Sequence, residues 1–297
     1  MDNVVGILNI YKEAGMTSHD VVAILRGILH QKRIGHTGTL DPMVTGVLPI
    51  CLGSATRLAE SVSSQGKEYA GELVFGYRTD TLDQTGKVIA RSDQTLFTRF
   101  EIEEAMQAFR GEIMQLPPMY SAVKVQGKRL YELARKGVSV ERKPRPVTIS
   151  LFEILHLEEN YLSFRCRCSK GTYIRQLVDD LGTALGTYAT MIRLERTAVG
   201  PFRIDQAIPI SECRQMSRDE LLKKILPPDT AVSDMPIMKL NYEDGKKAVH
   251  GANIPLPNFL EDDGAHRVYV EDLFLGIGNV QNGILHMNKV FHTELQS

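Results

Sequence analysis

One carboxylate, Asp41, stands between Leu40 and Pro42 in the stretch GHTGTLDPMVTGVLP, which runs from Gly35 to Pro49 and carries no other formal charge. An acid held between apolar neighbours on a structured turn can act as nucleophile or base, because burial and a nearby cation set its reactivity. Asp-Pro is also a common opening of an Asx turn, so the dipeptide alone leaves both readings open. His36, in the same stretch, reads either as a buried, hydrogen-bonded histidine or as a site residue. Other chemistries have less to stand on. Gly66-Lys67 lacks the upstream glycine of a phosphate-binding loop, since Ser61 occupies that place. Gly276-Ile277-Gly278 falls in a β-rich tail rather than at a strand–helix turn. Cys166 and Cys168 would share a strand face, but Cys51 and Cys213 form no matching pair and no histidine has ligand spacing. The cysteines therefore read as structural, and no metal site is expected.

The elements that must hold Asp41 follow from periodicity. Val4 to Ile10 reads as a strand. Thr17 or Ser18 then caps a helix with Val21, Val22, Leu25, Ile28 and Leu29 on one face, ending in Gln31-Lys32-Arg33. Gly35, Gly38, Gly46, Pro42 and Pro49 interrupt the next stretch too often for a helix, so a loop is expected. Lys67 to Gly76 alternates as a strand, with Tyr69, Gly71, Leu73 and Phe75 on one face. Asp80 to Gly86 is a polar turn. Thr98 and Glu101 form a capping box for a helix stopped at Gly111. A short helix from Lys128 to Lys136 interrupts a loop-like segment. Val147 to His156 and Tyr161 to Cys168 form a hairpin. Lys170-Gly171-Thr172 leads into a helix with Ile174, Leu177, Val178, Leu181 and Leu185 on one face. Arg175 lies off that stripe, and an exposed pair with Asp179 is one expectation for it. Thr190 to Val199 returns as a strand. Mixed strands, hairpins and helices favour an α+β arrangement over an all-parallel sheet. Residues 227–234 read as a linker. The remainder, with short strands and one helix (Asp244 to His250), reads as a β-barrel of roughly 60 residues.

The 297 residues suit about two domains, and 43% hydrophobic with 24% charged residues is ordinary for a soluble globular chain. The opening MDNVVGILNIYK has no basic leader, no stretch has the length of a membrane span, and four scattered cysteines suit a reducing compartment; a cytoplasmic location without membrane attachment is expected. The net charge of −1 conceals segregation. Eight basic residues (Lys124, Lys128, Arg129, Arg135, Lys136, Arg142, Lys143, Arg145) face two acids between Leu116 and Pro146. Arg165, Arg167, Lys170 and Arg175 follow with no acid among them, while Glu261, Asp262, Asp263, Glu271 and Asp272 offset them in the tail. Such a distribution marks a polyanion-binding face on a neutral protein. An ordered segment of this length with so little apolar periodicity is also unusual as a mere connector.

Four strings in this order, GHTGTLDP, KEYAGELVFG, LPPMYSAVK and SKGTYIRQLVDDLG, together resemble the tRNA pseudouridine-55 synthases of the TruB type. The likeness spans about Val5 to Val290, and HRVYVEDLFLGIGNV resembles the C-terminal PUA domain of those enzymes. The resemblance implies a mixed, mostly antiparallel central sheet flanked by helices, the pseudouridine synthase fold, over residues 1–230. A basic RNA-binding insertion at about 116–146 and a PUA-like β-barrel at 235–297 complete the expected organisation. It makes Asp41 the catalytic aspartate, Arg175 its paired cation and Tyr69 the aromatic against the target base. Leu194 becomes an apolar wall, Tyr173 a border of the pocket, and His36 the occupant of the space left by flipped nucleotides. Lys124, Lys128 and Arg129 are expected to grip RNA phosphates.

The implied reaction breaks the N1–C1′ bond of a uridine, turns the uracil and joins C5 to C1′. No atoms or electrons are exchanged, so no cofactor or metal is expected. The carboxylate attacks C6 or C1′ or promotes a glycal; the residues leave these three open. A neighbouring guanidinium favours the ionised acid. Extruding the base costs a few kcal/mol, and stacking on Tyr69 returns about 1–3 kcal/mol, while its phenol could assist loss of the C5 proton. The expected partner is the T-loop arm of tRNA, bound by a monomer without guide RNA, with an added role in tRNA folding. The basic insertion separates this expectation from the guide-dependent branch of the family. Lack of a second positioned acid argues against a hydrolase.

Overall fold

A computed structural model of the chain describes residues 4–292 except 126, 135, 139 and 258–262, and only the backbone of residues 124 and 129. Gly6–Lys12 pairs antiparallel with Thr45–Leu52, placing Lys12 opposite Gly46. From there the sheet builds outward in both directions. Its order is Ile208–Pro209, Gly6–Lys12, Thr45–Leu52, Ala189–Val199, Lys67–Phe75, Tyr161–Cys168, Arg145–Glu158, Gly111–Gln115. Ile34–His36 and Phe202–Arg203 add short flanking pairs. Among the described residues two neighbouring pairs are parallel, Gly6–Lys12 with Ile208–Pro209 and Thr45–Leu52 with Ala189–Val199, and the others are antiparallel. The sheet is thus mixed and mostly antiparallel.

The helices pack where their apolar stripes require. Ser18–Leu29 starts at Thr17, whose side chain accepts from Asp20 N while Asp20 returns a bond to Thr17 N, and it buries Val21, Val22, Leu25 and Leu29. Arg99–Gln107 starts with the same box from Thr98 and Glu101. Ile174–Ala184 buries Ile174, Leu177, Val178 and Leu181 in a core shared with Leu8, Ile50, Leu73 and Phe164. Among the described residues no helix is long and apolar enough to cross a membrane.

Four local expectations change. The first helix stops at Leu29, because His30 adopts a left-handed φ of 51° and reverses the chain. Gln31 then ties the exit down, its Nε2 donating to the carbonyls of Val4 and Arg33. The stretch expected as one loop is instead strand, turn and strand, with the irregular part narrowed to 37–44. In the basic insertion a hairpin, Lys124–Val125 with Lys128–Arg129, takes up the residues assigned to the start of a helix, leaving helix only at Leu130–Ala134. Residues 227–234 are packed rather than a free connector. Ala231 and Val232 are buried, Gln65 Nε2 donates to Ala231 O, and Tyr269 donates its hydroxyl to Asp229 at 2.6 Å.

The C-terminal unit is a half-barrel of five strands in the order Ile237–Leu240, Gly264–Val270, Leu273–Gln281, Ile284–Val290, Ile254–Pro255, with one helix, Tyr242–Val249. Tyr269, Phe274 and Ile277 share a core with Ile7, Val47 and Phe202 of the large sheet.

Gly46 shows why the strands beside the turn can meet. Its φ is +110°, and a Cβ there would lie 2.2 Å from Arg196 O. Gly46→Ala is therefore expected to lower unfolding stability by roughly 2–4 kcal/mol, seen as a lower urea midpoint at unchanged slope.

Candidate active site

The turn that carries Asp41 is closed by the main chain. Val44 N donates to Asp41 O at 3.0 Å, with Pro42 in the second position where its fixed φ belongs. The carboxylate is thereby left over for another partner. Each neighbouring residue of the turn is tied to a different element. Ser18, the buried first residue of its helix, accepts from Leu40 N at 2.9 Å and donates to Leu40 O. Lys12 is fully buried at the end of its strand and donates to the carbonyls of Glu13, Met16 and Pro42 at 2.8–3.1 Å. Burial pushes its ammonium down to about 8, against the opposing pull of Asp41. Arg196 Nε donates to Val47 O at 2.7 Å and its Nη2 to Gly38 O at 3.1 Å, closing both ends of the irregular segment.

The partner of Asp41 comes from the start of the helix Ile174–Ala184. Arg175 Nη2 lies 2.8 Å from Asp41 Oδ2; the guanidinium is 7% exposed and the carboxylate 45%. The acid can thus be reached from outside while the cation cannot move away. Carbonyls fix the guanidinium from two directions, Thr81 O at 2.8 Å and Tyr120 O at 3.0 Å. Buried Asp83 stands 3.7 Å from its other nitrogen. Asp83 Oδ1 in turn accepts from the Thr81 hydroxyl and from the backbone and hydroxyl of Thr85, which shapes the polar turn. Asp179, the other expected partner of Arg175, is instead taken by Arg78 in a two-pronged pair at 2.5 and 2.7 Å.

Asp41, Tyr69, Tyr173, Arg175 and Leu194 all line one cleft of about 280 Å³. Tyr69 is 9% exposed. Burial pushes its phenol up to about 12, opposed by the Arg196 charge, so the side chain is protonated at neutral pH. Tyr173 caps the Arg175 helix, and its backbone is clasped by buried Gln115, Tyr173 N to Oε1 at 2.8 Å and Nε2 to Tyr173 O at 3.1 Å. Tyr120, Ser121 and Ala122 bring the root of the basic insertion onto the cleft, and Lys67, Lys170 and Arg196 add positive charge.

Other expected residues lie apart from the cleft. His36 ends the strand Ile34–His36, half-buried, beside the turn but not on the cleft wall. Burial and then the Arg196 charge hold its imidazole below the usual range, and its Nδ1 is buried without a protein partner. Lys128 is exposed on the hairpin, away from the cleft. The side chains of Lys124 and Arg129, and all of Arg135, lie outside the described residues. Among the described residues no cluster of three or more His, Cys, Asp or Glu could hold a metal.

Lys12, Asp83 and Arg196 are the residues that sequence reasoning missed. A signal was present for the two cations. Leu8, Ile10 and Lys12 alternate on one strand face, and Arg196 follows Leu194 at the same spacing on another, so each cation sits in an apolar register.

A carboxylate on a rigid turn is thus ion-paired to a buried guanidinium and shares its cleft with a buried phenol. Comparison with known proteins gives the family. Residues 26–174 match the TruB family pseudouridylate synthase N-terminal domain, and residues 175–233 match the tRNA pseudouridylate synthase B C-terminal domain. The tRNA pseudouridine synthase B of Clostridium kluyveri is 44% identical over 290 residues, covering 96% of this chain and 99% of that protein. Its counterpart in Streptococcus agalactiae is 47% identical over 262 residues, 86% of this chain and 89% of the relative. Among solved structures, one described as a Cbf5-Nop10-Gar1 complex superposes with a TM-score of 0.75 at 28% identity, covering 97% of this chain and 85% of that one. The chain belongs to the TruB family of pseudouridylate synthases.

Removing the Lys12 ammonium tests how the turn is held. Lys12→Met takes the ammonium donor from the carbonyls of Glu13 and Met16 and leaves Pro42 O with Gly15 N alone, and is expected to cost roughly 2–4 kcal/mol in urea unfolding. A pH series gives a second reading. Between about 8 and 10.5 the folded Lys12 has lost its proton while the unfolded one keeps it, so the unfolded state binds more protons and stability rises with pH. The stability advantage of the wild type over Lys12→Met should therefore widen across that window.

Proposed function

We propose that the protein isomerises uridine to pseudouridine at position 55 in the T-loop of tRNA, using Asp41 as the reactive carboxylate. The observation that carries this reading is the Asp41–Arg175 pair at 2.8 Å, open to solvent on the acid side alone and set in the cleft that Tyr69 lines. The target base is flipped out of the loop and enters this cleft. Stacking on Tyr69 and Leu194 offsets part of the unstacking cost, which is a few kcal/mol.

The guanidinium keeps the carboxylate aimed at the base while the N1–C1′ bond breaks. The uracil then turns within the cleft, C5 bonds to C1′, the C5 proton passes to water and N1 takes up a proton, so that the product is an isomer of the substrate. Tyr69 is a phenol at neutral pH, so in the resting site it is a stacking surface and a hydrogen-bond donor rather than a ready base. His36, neutral and beside the turn, fills the space the flipped nucleotide leaves. Lys128, with Lys124 and Arg129, grips backbone phosphates around the T-loop, and Tyr173 borders the bound nucleotide. The reading has the enzyme work as a cytoplasmic monomer, without a guide RNA. The root of the insertion, Tyr120 to Ala122, joins phosphate grip and cleft in one chain segment.

The test uses tRNA carrying tritium at uridine C5. Wild type should release the label, and Asp41→Asn should release none while binding tRNA within about threefold of wild type. No release by the wild type would sink the catalytic reading. Lys128→Ala should weaken binding and lower the slope of log K against log salt by about 1, with the rate at saturating tRNA unchanged.

A further inference from the structure

One buried cation of the site has no acid beside it. Arg196 is among the largest side chains fully inside the protein. Among the described residues no carboxylate oxygen lies within 4.0 Å of its guanidinium. Burying such a charge carries a desolvation cost that an ion pair would normally offset, and an apolar side chain of similar length would avoid it. The hydrogen bonds that replace the ion pair are unusual in where they lead. Nε reaches Val47 O, just after the Asp41 turn, and Nη2 reaches Gly38 O, just before it. Tyr69 stands opposite Arg196 on the neighbouring strand.

The register explains how one side chain does this. Arg196 occupies the strand between two others, opposite Gly46 on one side and Tyr69 on the other. Gly46 has no side chain, so the turn-bearing strand comes close enough for Arg196 to reach across. A guanidinium presents its donors in a fixed planar fork. The two directions are therefore set together, one to each end of the turn.

We propose that Arg196 is a positioning residue of the pseudouridine-forming site, holding the Asp41 turn and the Tyr69 phenol in a single frame. In this role Arg196 acts through the turn rather than on the base or the reacting sugar. The inference rests on the reading of Asp41 as the reactive acid.

The experiment compares full-length wild type, Arg196→Lys, Arg196→Ala and Asp41→Asn. The measurements are single-turnover tritium release from tRNA, tRNA binding and urea midpoint. Lysine keeps the charge but cannot form the fork. The expected result for Arg196→Lys is a rate about 10–100-fold lower, with tRNA affinity within about threefold and a folded chain at the assay temperature. Ethylguanidinium should raise the rate of Arg196→Ala about fivefold or more while leaving wild type unchanged, which a loss of fold alone would not produce. A wild-type rate in Arg196→Lys overturns the proposal. So does an Arg196→Lys chain that is unfolded, or slowed only in proportion to its unfolded fraction, and so does failure of ethylguanidinium to rescue. The Asp41→Asn arm separates the two levels. Release from it brings down the reading of the acid, whereas no release from it beside wild-type release from Arg196→Lys brings down the positioning role alone.

Discussion

A guanidinium that cannot move decides the geometry of this protein's cleft. Arg175 is enclosed by the carbonyls of Thr81 and Tyr120 and by the buried carboxylate of Asp83. One edge remains, and Asp41 occupies it. The enclosing groups come from the polar turn and the basic insertion, and the guanidinium from the helix Ile174–Ala184, far apart in sequence, so the ion pair exists only once the sheet is assembled. The arrangement also balances charge. Asp83 offsets part of the guanidinium's desolvation, which a single half-exposed acid would do poorly. Asp41 can then stay open to a substrate without leaving a buried charge unpaired.

The sheet supplies the rest by register. Four strands side by side, Gly6–Lys12, Thr45–Leu52, Ala189–Val199 and Lys67–Phe75, deliver Lys12, the Asp41 turn, Leu194 with Arg196, and Tyr69. Alternation puts these side chains on one face, so the site is built mostly on strands and depends on loops only at its rim. Lys12, Lys67 and Arg196 make the floor of that face positive. Burial, and after it the Arg196 charge, lowers the ammonium of Lys67 to about 8, and burial brings that of Lys12 to about 8 as well. A floor of this sign suits a ligand that arrives with phosphates.

How much of this the sequence disclosed differs by residue. The capping boxes at Thr17 and Thr98 and the hairpin around Glu159 are local and were legible directly, because their signals lie within a few residues. Asp41 stood out by isolation, but spacing alone could not separate a turn-capping acid from a reactive one. The difference is a main-chain bond, Val44 N to Asp41 O, that frees the side chain. Arg175, Tyr69, Tyr173 and Leu194 came from family resemblance; no periodicity links them, since their cleft is formed by long-range pairing. Arg196, Lys12 and Asp83 were passed over because a charged residue is ordinarily taken as exposed. The linker at 227–234 misled for the opposite reason. Two prolines and polar residues mark a turn, but Ala231 and Val232 bury themselves in the core shared with the C-terminal half-barrel.

The proposed function requires that the enclosed guanidinium make Asp41 reactive. Its most direct test is the single-turnover rate of pseudouridine formation in Arg175→Met, measured with tRNA affinity on the same preparation. A rate lower by about 10²–10³-fold at unchanged affinity is the predicted result. A wild-type rate in that variant would contradict the account.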